Sequence, residues 1–318
     1  MDGAKFAIEA SEVESMVKES GLSVLQLLTS LVKPAQNLAR PPISKFSVGA
    51  VGLGSDGRIF FGVNLEFPGL PLHHSVHAEQ FLATNLAVHG EPRLLYIAVS
   101  AAPCGHCRQF LQELRNASDI QIFITSSSSE NESQEPPKFK PLLSILPNPF
   151  GPFDLLDKET PLLLEPHDNG LWLLSETIDS NSGNSSNLCN GLCELFAKNE
   201  SMLKISALEA ANNSHALYSG CPSGVALMDV EGMIYRGSYM ESAAYNPSLG
   251  PVQAALVSYV ASGGGGYDRI VAGVLVEKKE AVVRQEDTAR LLLKAVSPKC
   301  ELQVFHCGSG LNGCKRPS

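Results

Sequence analysis

The chain has 318 residues, 44% of them hydrophobic, which is length for about two domains and apolar material for buried cores. Its formal net charge is −9 and no dense Lys/Arg run occurs, so a polyanionic partner is disfavoured. No apolar run reaches the roughly 18 residues of a membrane helix, Met1 to Ala10 lacks the order of a signal peptide, and eight cysteines in a chain of this length do not make a disulfide scaffold.

Residues 11 to 32 carry helical periodicity, with Ser11 and Glu14 in capping-box spacing and a break at Gly21. Pro34, Pro41 and Pro42 are expected to end this helical part and open a loop. From Phe46 to Phe61 the pattern is a hairpin around Gly54-Ser55-Asp56-Gly57, with Asn64 and Glu66 just past its second strand. After the loop Pro68-Gly69-Leu70-Pro71, His77 opens an apolar helix that ends near Gly90. Leu94 to Ser100 is a buried strand, and Pro103 to Leu114 is loop then helix.

Two motifs fall at these helix starts, His77-Ala78-Glu79 and Pro103-Cys104-Gly105-His106-Cys107. The positive end of a helix favours thiolate charge, and three-residue spacing puts Cys104 and Cys107 on one face. One imidazole and two thiols make three good zinc ligands, where a structural site usually has four and a catalytic one leaves the last place to water. A thiol pair kept reduced for metal suits the cytoplasm. His73, His74 and His106 are set aside as structural, and Cys189-x-x-x-Cys193 lacks a nearby histidine.

Ser126 to Pro137 and Thr177 to Asn187 are polar, serine-rich stretches expected to be a loop and a linker. Beyond them the chain echoes itself. Ser223 to Glu241 aligns with Val48 to Glu66 at an offset of 175, with Gly49/Gly224, Gly57/Gly232, Ile59/Ile234, Gly62/Gly237 and Glu66/Glu241 identical. Carried forward, that offset sets Val252 at the place of His77 and Ala254 at that of Glu79, with no Cys-x-x-Cys to follow. The second half therefore repeats the fold without the metal. Glu241 is expected to be a relic or a fold residue, and Gly263 to Gly266 a connector without phosphate-loop spacing.

With these residues in view, the chain resembles the two-domain, homodimeric cytidine deaminases of bacteria and plants, from about Leu22 to Val304. The order H-x-E then P-C-x-x-C is the signature of zinc nucleobase deaminases, in which the Glu is a general acid/base and not a ligand. Further likeness lies in Ser44 to Ala50, Asn64-Leu65-Glu66, Val76 and Gln80 on either side of His77-Ala78-Glu79, Arg108-Gln109-Phe110, Phe150-Gly151-Pro152 and Pro222 to Ala226. The serine-rich stretches depart from the bacterial pattern.

The resemblance implies an α/β fold of two domains, each a mixed five-stranded sheet packed by helices, the second a degenerate repeat. Domains are expected at 1–150 (catalytic and zinc-binding, helical over about 10–40), 151–190 (linker) and 191–318 (non-catalytic). It implies one zinc per chain on His77, Cys104 and Cys107, which lowers the pKa of a bound water toward about 7. Glu79 then carries protons from that water to N3 of the base and to the departing ammonia. Asn64 and Glu66 are implied to bind ribose hydroxyls, Ala78 to offer its backbone to the pyrimidine, and Phe46 to stack on the base. For Phe46 a place in the core remains an alternative, and for Asn64 a turn at the strand end.

Three functions are weighed: deamination of free cytidine and deoxycytidine in pyrimidine salvage, deamination of cytosine nucleotides or polynucleotides on the same zinc core, and a non-enzymatic zinc protein. Against the second stand the acidic charge and the Glu66 carboxylate, which repels a nearby phosphate. The third demands a fourth protein ligand. The expected partners are a nucleoside and a second copy of the chain, with no nucleic acid and no membrane. The homodimer follows from the family's single-domain tetramers, whose four units a duplicated chain supplies twice over.

Overall fold

A computed structural model describes residues 5–127, 136–174 and 190–309. The serine-rich stretches fall largely outside the described residues, as do Cys189, Cys314 and the side chain of Cys193. The described chain forms two compact units. The first holds Met1–Pro166 together with Glu241–Leu249 and Val257–Gly265, and the second holds His167–Met240, Gly250–Leu256 and Gly266–Ser318.

The first unit begins with the two-residue strand β1 (Ala7–Ile8) and then three short helices. Helix α1 (Ala10–Ser20) starts at Glu9 without a side-chain cap, so Ser11 does not cap it as its spacing implied. The capping box forms later, where Ser23 and Gln26 open α2 (Val24–Ser30). Gly21, at φ 67°, ends α1 in the left-handed conformation that glycine adopts without strain. Helix α3 (Val32–Gln36) runs through Pro34, contrary to expectation. Proline there falls in the first turn, where its missing N–H leaves no helical bond unmade.

The hairpin forms as β2 (Gly49–Gly54) and β3 (Ile59–Val63), with Gly52 opposite Phe60. Helix α4 (Ala78–Val88), strand β4 (Leu94–Val99), helix α5 (Gly105–Phe110) and strands β5 (Gln121–Ile124) and β6 (Lys140–Pro141) complete the unit. Its sheet order is β1-β3-β2-β4-β5-β6, six strands where five were expected. Both edges are two-residue pieces, β1 and β6, on either side of the four longer strands β2 to β5. Among the described residues of this sheet only β4 and β5 pair in parallel, so the sheet is mixed.

Glycines decide which helix lies where. A Cβ on Gly49 would meet the backbone of Gln36 at 2.5 Å, and one on Gly62 would meet the Ala78 carbonyl at 2.2 Å. Gly49 and Gly62 point to opposite faces, so α3 covers one side of the sheet and α4 the other. Helix α4 buries every residue from Ala78 to Leu86. Phe81, Leu82 and Leu86 are each 0% exposed, a burial worth about 1.5–3 kcal/mol apiece. Asn85 ties the same helix down by donating to the carbonyls of Phe6 and Phe61 at 2.8 and 3.0 Å.

The second unit has the sheet β7-β11-β10-β8-β9, built from β7 (Leu171–Leu173), β8 (Ser223–Asp229), β9 (Ile234–Ser238), β10 (Ile270–Lys278) and β11 (Glu301–Ser309). Helix α6 (Asn190–Asn212) packs Leu203, Ala207 and Ala211 against Ala226, Met228, Val274 and Val276. Helix α7 (Pro251–Ala261) opens against Gly237, and the amphipathic α8 (Glu286–Val296) buries Ala289, Leu292 and Leu293.

Candidate zinc and substrate site

His77 is the N-cap of α4 and Cys104 the N-cap of α5, so both motifs stand at helix starts. The approach of α4 rests on Gly62, because any side chain there collides with the backbone of its first turn. A small ladder then aims the turn. Leu65 and Val76 exchange backbone bonds at 2.8 and 2.9 Å, and Leu65 also bridges Arg40. Leu65 and Val76 are each 0% exposed, so the ladder is anchored in the core.

The three expected ligands converge. His77 Nδ1 lies 3.4 Å from Cys104 Sγ and 3.3 Å from Cys107 Sγ, and the two sulfurs are 3.7 Å apart. Zinc bonds of about 2.3 Å to sulfur and about 2.0 Å to nitrogen at tetrahedral angles put the sulfurs ~3.8 Å apart and sulfur ~3.5 Å from nitrogen. The donor set therefore fits zinc in kind and in size. Among the described residues this is the group of three or more that can hold a metal ion. His106 stacks on the His77 ring with centroids 5.3 Å apart and is not a member of that group. The His73 and His74 rings lie tilted against each other with centroids 4.3 Å apart.

The electrostatics follow from burial and from the thiol pair. Hydrogen bonding with Cys107 draws the Cys104 thiol down to about 4 against the opposing effect of burial. The same bond, with burial, holds the Cys107 thiol well above its ordinary value. Glu79 is 3% exposed, and the neighbouring Cys107 thiol acts to lower its carboxyl. Burial pushes this carboxyl up, outweighing the effect of Cys107.

Asn64 and Glu66 hold the loop that carries Phe46. The Asn64 Oδ1 accepts from the Val48 N–H at 2.8 Å and its Nδ2 donates to the Phe46 carbonyl at 3.0 Å. Glu66 Oε2 accepts from the N–H groups of Ile43 and Ser44 at 2.9 and 2.8 Å, and Oε1 accepts from the Ser44 hydroxyl. Burial raises the Glu66 carboxyl, but the donations from Ser44 and Ile43 outweigh it and leave it below its ordinary value. Lys45 takes φ 59° at the loop apex. Phe46 is 60% exposed, which excludes the core alternative. Ala78 is the first residue of α4, so its N–H has no acceptor within the helix.

Two regions of the chain match models described as the cytidine and deoxycytidylate deaminase zinc-binding region, over residues 23–123 and 142–290. Cytidine deaminase 1 of Arabidopsis thaliana is 61% identical over 311 residues, spanning 96% of this chain and 99% of that protein. The chain belongs to the cytidine and deoxycytidylate deaminase family. Cytidine deaminase 7 of the same plant is 48% identical over 96% of this chain and 95% of its own length. A cytidine deaminase of Photorhabdus laumondii subsp. laumondii is 37% identical over 91% of this chain and 86% of its own. Zinc is accordingly the metal that the His/Cys/Cys group fits.

The structure gives further residues a place at this family site, to which no role is assigned from the sequence. Gln80 Oε1 accepts from the His77 N–H, one half of a capping box. Arg40 meets the candidate strand on both sides, its N–H donating to Asn64 O at 2.9 Å and its carbonyl accepting from Glu66 N at 3.0 Å. Its guanidinium donates to the carbonyls of Gly264 and Gly265 at 2.6 and 2.8 Å, which gives the glycine-rich connector a partner. For Gln80 the signals were its place in the stretch Val76 to Gln80, which carries the family likeness, and its position three residues after the N-cap; for Arg40 there was none.

Proposed function

We propose that the chain is a zinc-dependent cytidine deaminase that hydrolyses cytidine and deoxycytidine to uridine and deoxyuridine, releasing ammonia. One observation carries the reading: three ligands at zinc dimensions with a buried carboxyl against one of them. Held by His77, Cys104 and Cys107, zinc supplies the Lewis acidity that makes water a nucleophile near neutral pH.

The chain's own residues then manage protons and orientation. Water adds to C4 of the base, and Glu79 takes its proton. Glu79 delivers that proton to N3, then takes the proton of the new C4 hydroxyl and passes it to the amino nitrogen, so that the C4 carbonyl forms as the C4–N bond breaks and ammonia leaves. Burial supports this role, because a carboxyl raised from its ordinary value holds a proton closer to neutral pH. The Ala78 N–H, at the start of α4, is the donor assigned to the pyrimidine.

Asn64 and Glu66 are the residues assigned to the ribose. A carboxylate has about four acceptor places and an amide nitrogen two hydrogens. Three places on Glu66 and one hydrogen of Asn64 serve the loop, which leaves capacity on each for a hydroxyl. The exposed Phe46 ring, held by that same loop, is assigned to stack on the base. The reading extends to pyrimidine salvage, a cytoplasmic location suited to reduced ligand thiols, and a homodimer.

Purified protein with measured zinc, mixed with cytidine, deoxycytidine, adenosine and cytidine monophosphate, tests this. Ultraviolet loss and stoichiometric ammonia are expected with the first two only. Turnover confined to the monophosphate, or no ammonia from any, overturns it. Sedimentation showing a stable, active monomer overturns the homodimer.

A further inference from the structure

We propose that Gln80 is a positioning residue that ties the zinc-ligand turn to residues 241–249, making this segment of the second repeat a working part of the catalytic unit. Gln80 is 1% exposed. Its Oε1 accepts from the His77 N–H at 3.3 Å, and its Nε2 donates to the Pro247 carbonyl at 3.0 Å. One amide thus clamps the backbone of a metal ligand on one side and a distant chain segment on the other, with Glu79 adjacent. The position demands an acceptor and a donor on a single neutral side chain, which glutamine provides and glutamate does not.

The far end of the clamp is itself stiff. Ser248 Oγ accepts from Ser242 N at 3.0 Å, Tyr245 N donates to Ser242 O at 2.8 Å, and Ser248 N donates to Tyr245 O at 2.9 Å. The segment also reaches the second half of the ligand set. Ala243 N donates at 2.7 Å to Glu113 Oε1, and Glu113 is 0% exposed and stands three residues past α5, which carries Cys107. Residues 241–249 therefore brace the elements that carry all three ligands, and they belong to the same compact unit. Groups that orient ligands from behind typically change metal affinity or activity by 10–100-fold when altered. Loss of Gln80 also leaves the Pro247 carbonyl without this donor.

The kinetic arm of the test rests on the deaminase reading, and the zinc arm does not. Gln80→Glu keeps the acceptor for His77 and loses the donor, Gln80→Leu loses both, and Ser248→Ala loosens the segment without touching α4. Zinc release to a chelator is expected to accelerate about 10–100-fold in Gln80→Leu, with a smaller acceleration in Gln80→Glu and in Ser248→Ala. In the same order kcat for cytidine falls while KM stays within about twofold, because Phe46, Asn64 and Glu66 are untouched. The Gln80→Glu/Ser248→Ala double variant is expected to show less than the product of the single effects, since both act through one clamp.

Zinc release and kcat at the wild-type level, with only the melting temperature lowered, overturn the proposal. A raised KM at unchanged kcat does so too. If neither Gln80 variant folds, Ser248→Ala decides, and wild-type zinc release in it counts against the clamp. Wild-type protein that binds zinc but leaves cytidine intact removes the deaminase reading, while the zinc-release comparison still decides the role of Gln80.

Discussion

The two repeats use the same devices to build a sheet between helices, and among the described residues only the first brings together a His/Cys/Cys group. Gly49 faces the backbone of α3 at Val32 and Gln36, and Gly224 faces α6 at Ala207 and Ala211, each pair 175 residues apart. The Arg40–Leu65 bridge recurs as the parallel bridge His215–Met240 at that offset. Gly62 admits the first turn of α4, and Gly237 admits that of α7. There the offset changes. Ala78 corresponds to Pro251 and Val88 to Ala261, so the helices stand 173 apart. Gly250 and Val252 thus occupy the places of His77 and Glu79, not Val252 and Ala254 as the constant offset implied. Two residues are missing before α7, in a loop where length is cheap to change. Gln253 stands where Gln80 does. Close-approach glycines are kept in both repeats because backbone contact tolerates no side chain, whereas ligands are dispensable where no metal is held.

The comparison breaks most sharply at the acid. Glu79→Gln should lower deamination by about 10²–10⁴-fold with zinc content unchanged, since it removes a proton carrier and no ligand. Loss of zinc along with activity would instead make Glu79 a ligand.

Next come the paired glycines. Gly62→Ala and Gly237→Ala should each cost about 1–3 kcal/mol or more by overpacking, read as denaturant midpoints. Only Gly62→Ala should also lower kcat per folded molecule, because its helix opens with His77 and Glu79. Equal kinetic damage from both would refute the division of labour.

A smaller effect is expected where the repeats differ in helix continuity. Helix α6 runs unbroken through Asn190–Asn212, while its counterpart is divided and restarts on the Ser23 cap. Ser23→Ala should cost about 1 kcal/mol and leave kcat intact. No loss of stability would show that packing alone holds α2.

The smallest effect is electrostatic. The Glu66 carboxyl lies below its ordinary value of 4.5 in the folded chain, so its stabilising contribution is complete above that value and fades as pH falls through the folded one. The stability gap between wild type and Glu66→Gln should therefore be present at neutral pH and close in acid. A gap that persists at the acid end contradicts the sign.

Legibility varied with the range of the cause. The hairpin, α4, β4 and the helix starts at His77 and Cys104 were readable, because periodicity, turn glycines and caps act over a few residues. The start of α1 was not, since Glu9 and Ser11 compete at close spacing and packing chose between them. Pro34 misled because its cost depends on where a helix begins, which the break after α2 decided.

By itself, the sequence determined the donor types at His77, Cys104, Cys107 and Glu79 and the duplication of the fold, since identity and order are properties of the chain. Only tertiary structure decided that three donor atoms meet at zinc dimensions, that Glu79 is buried against Cys107, and that Gln80 reaches Pro247. Those facts depend on contacts between segments as far apart as 167 residues, which no local pattern encodes.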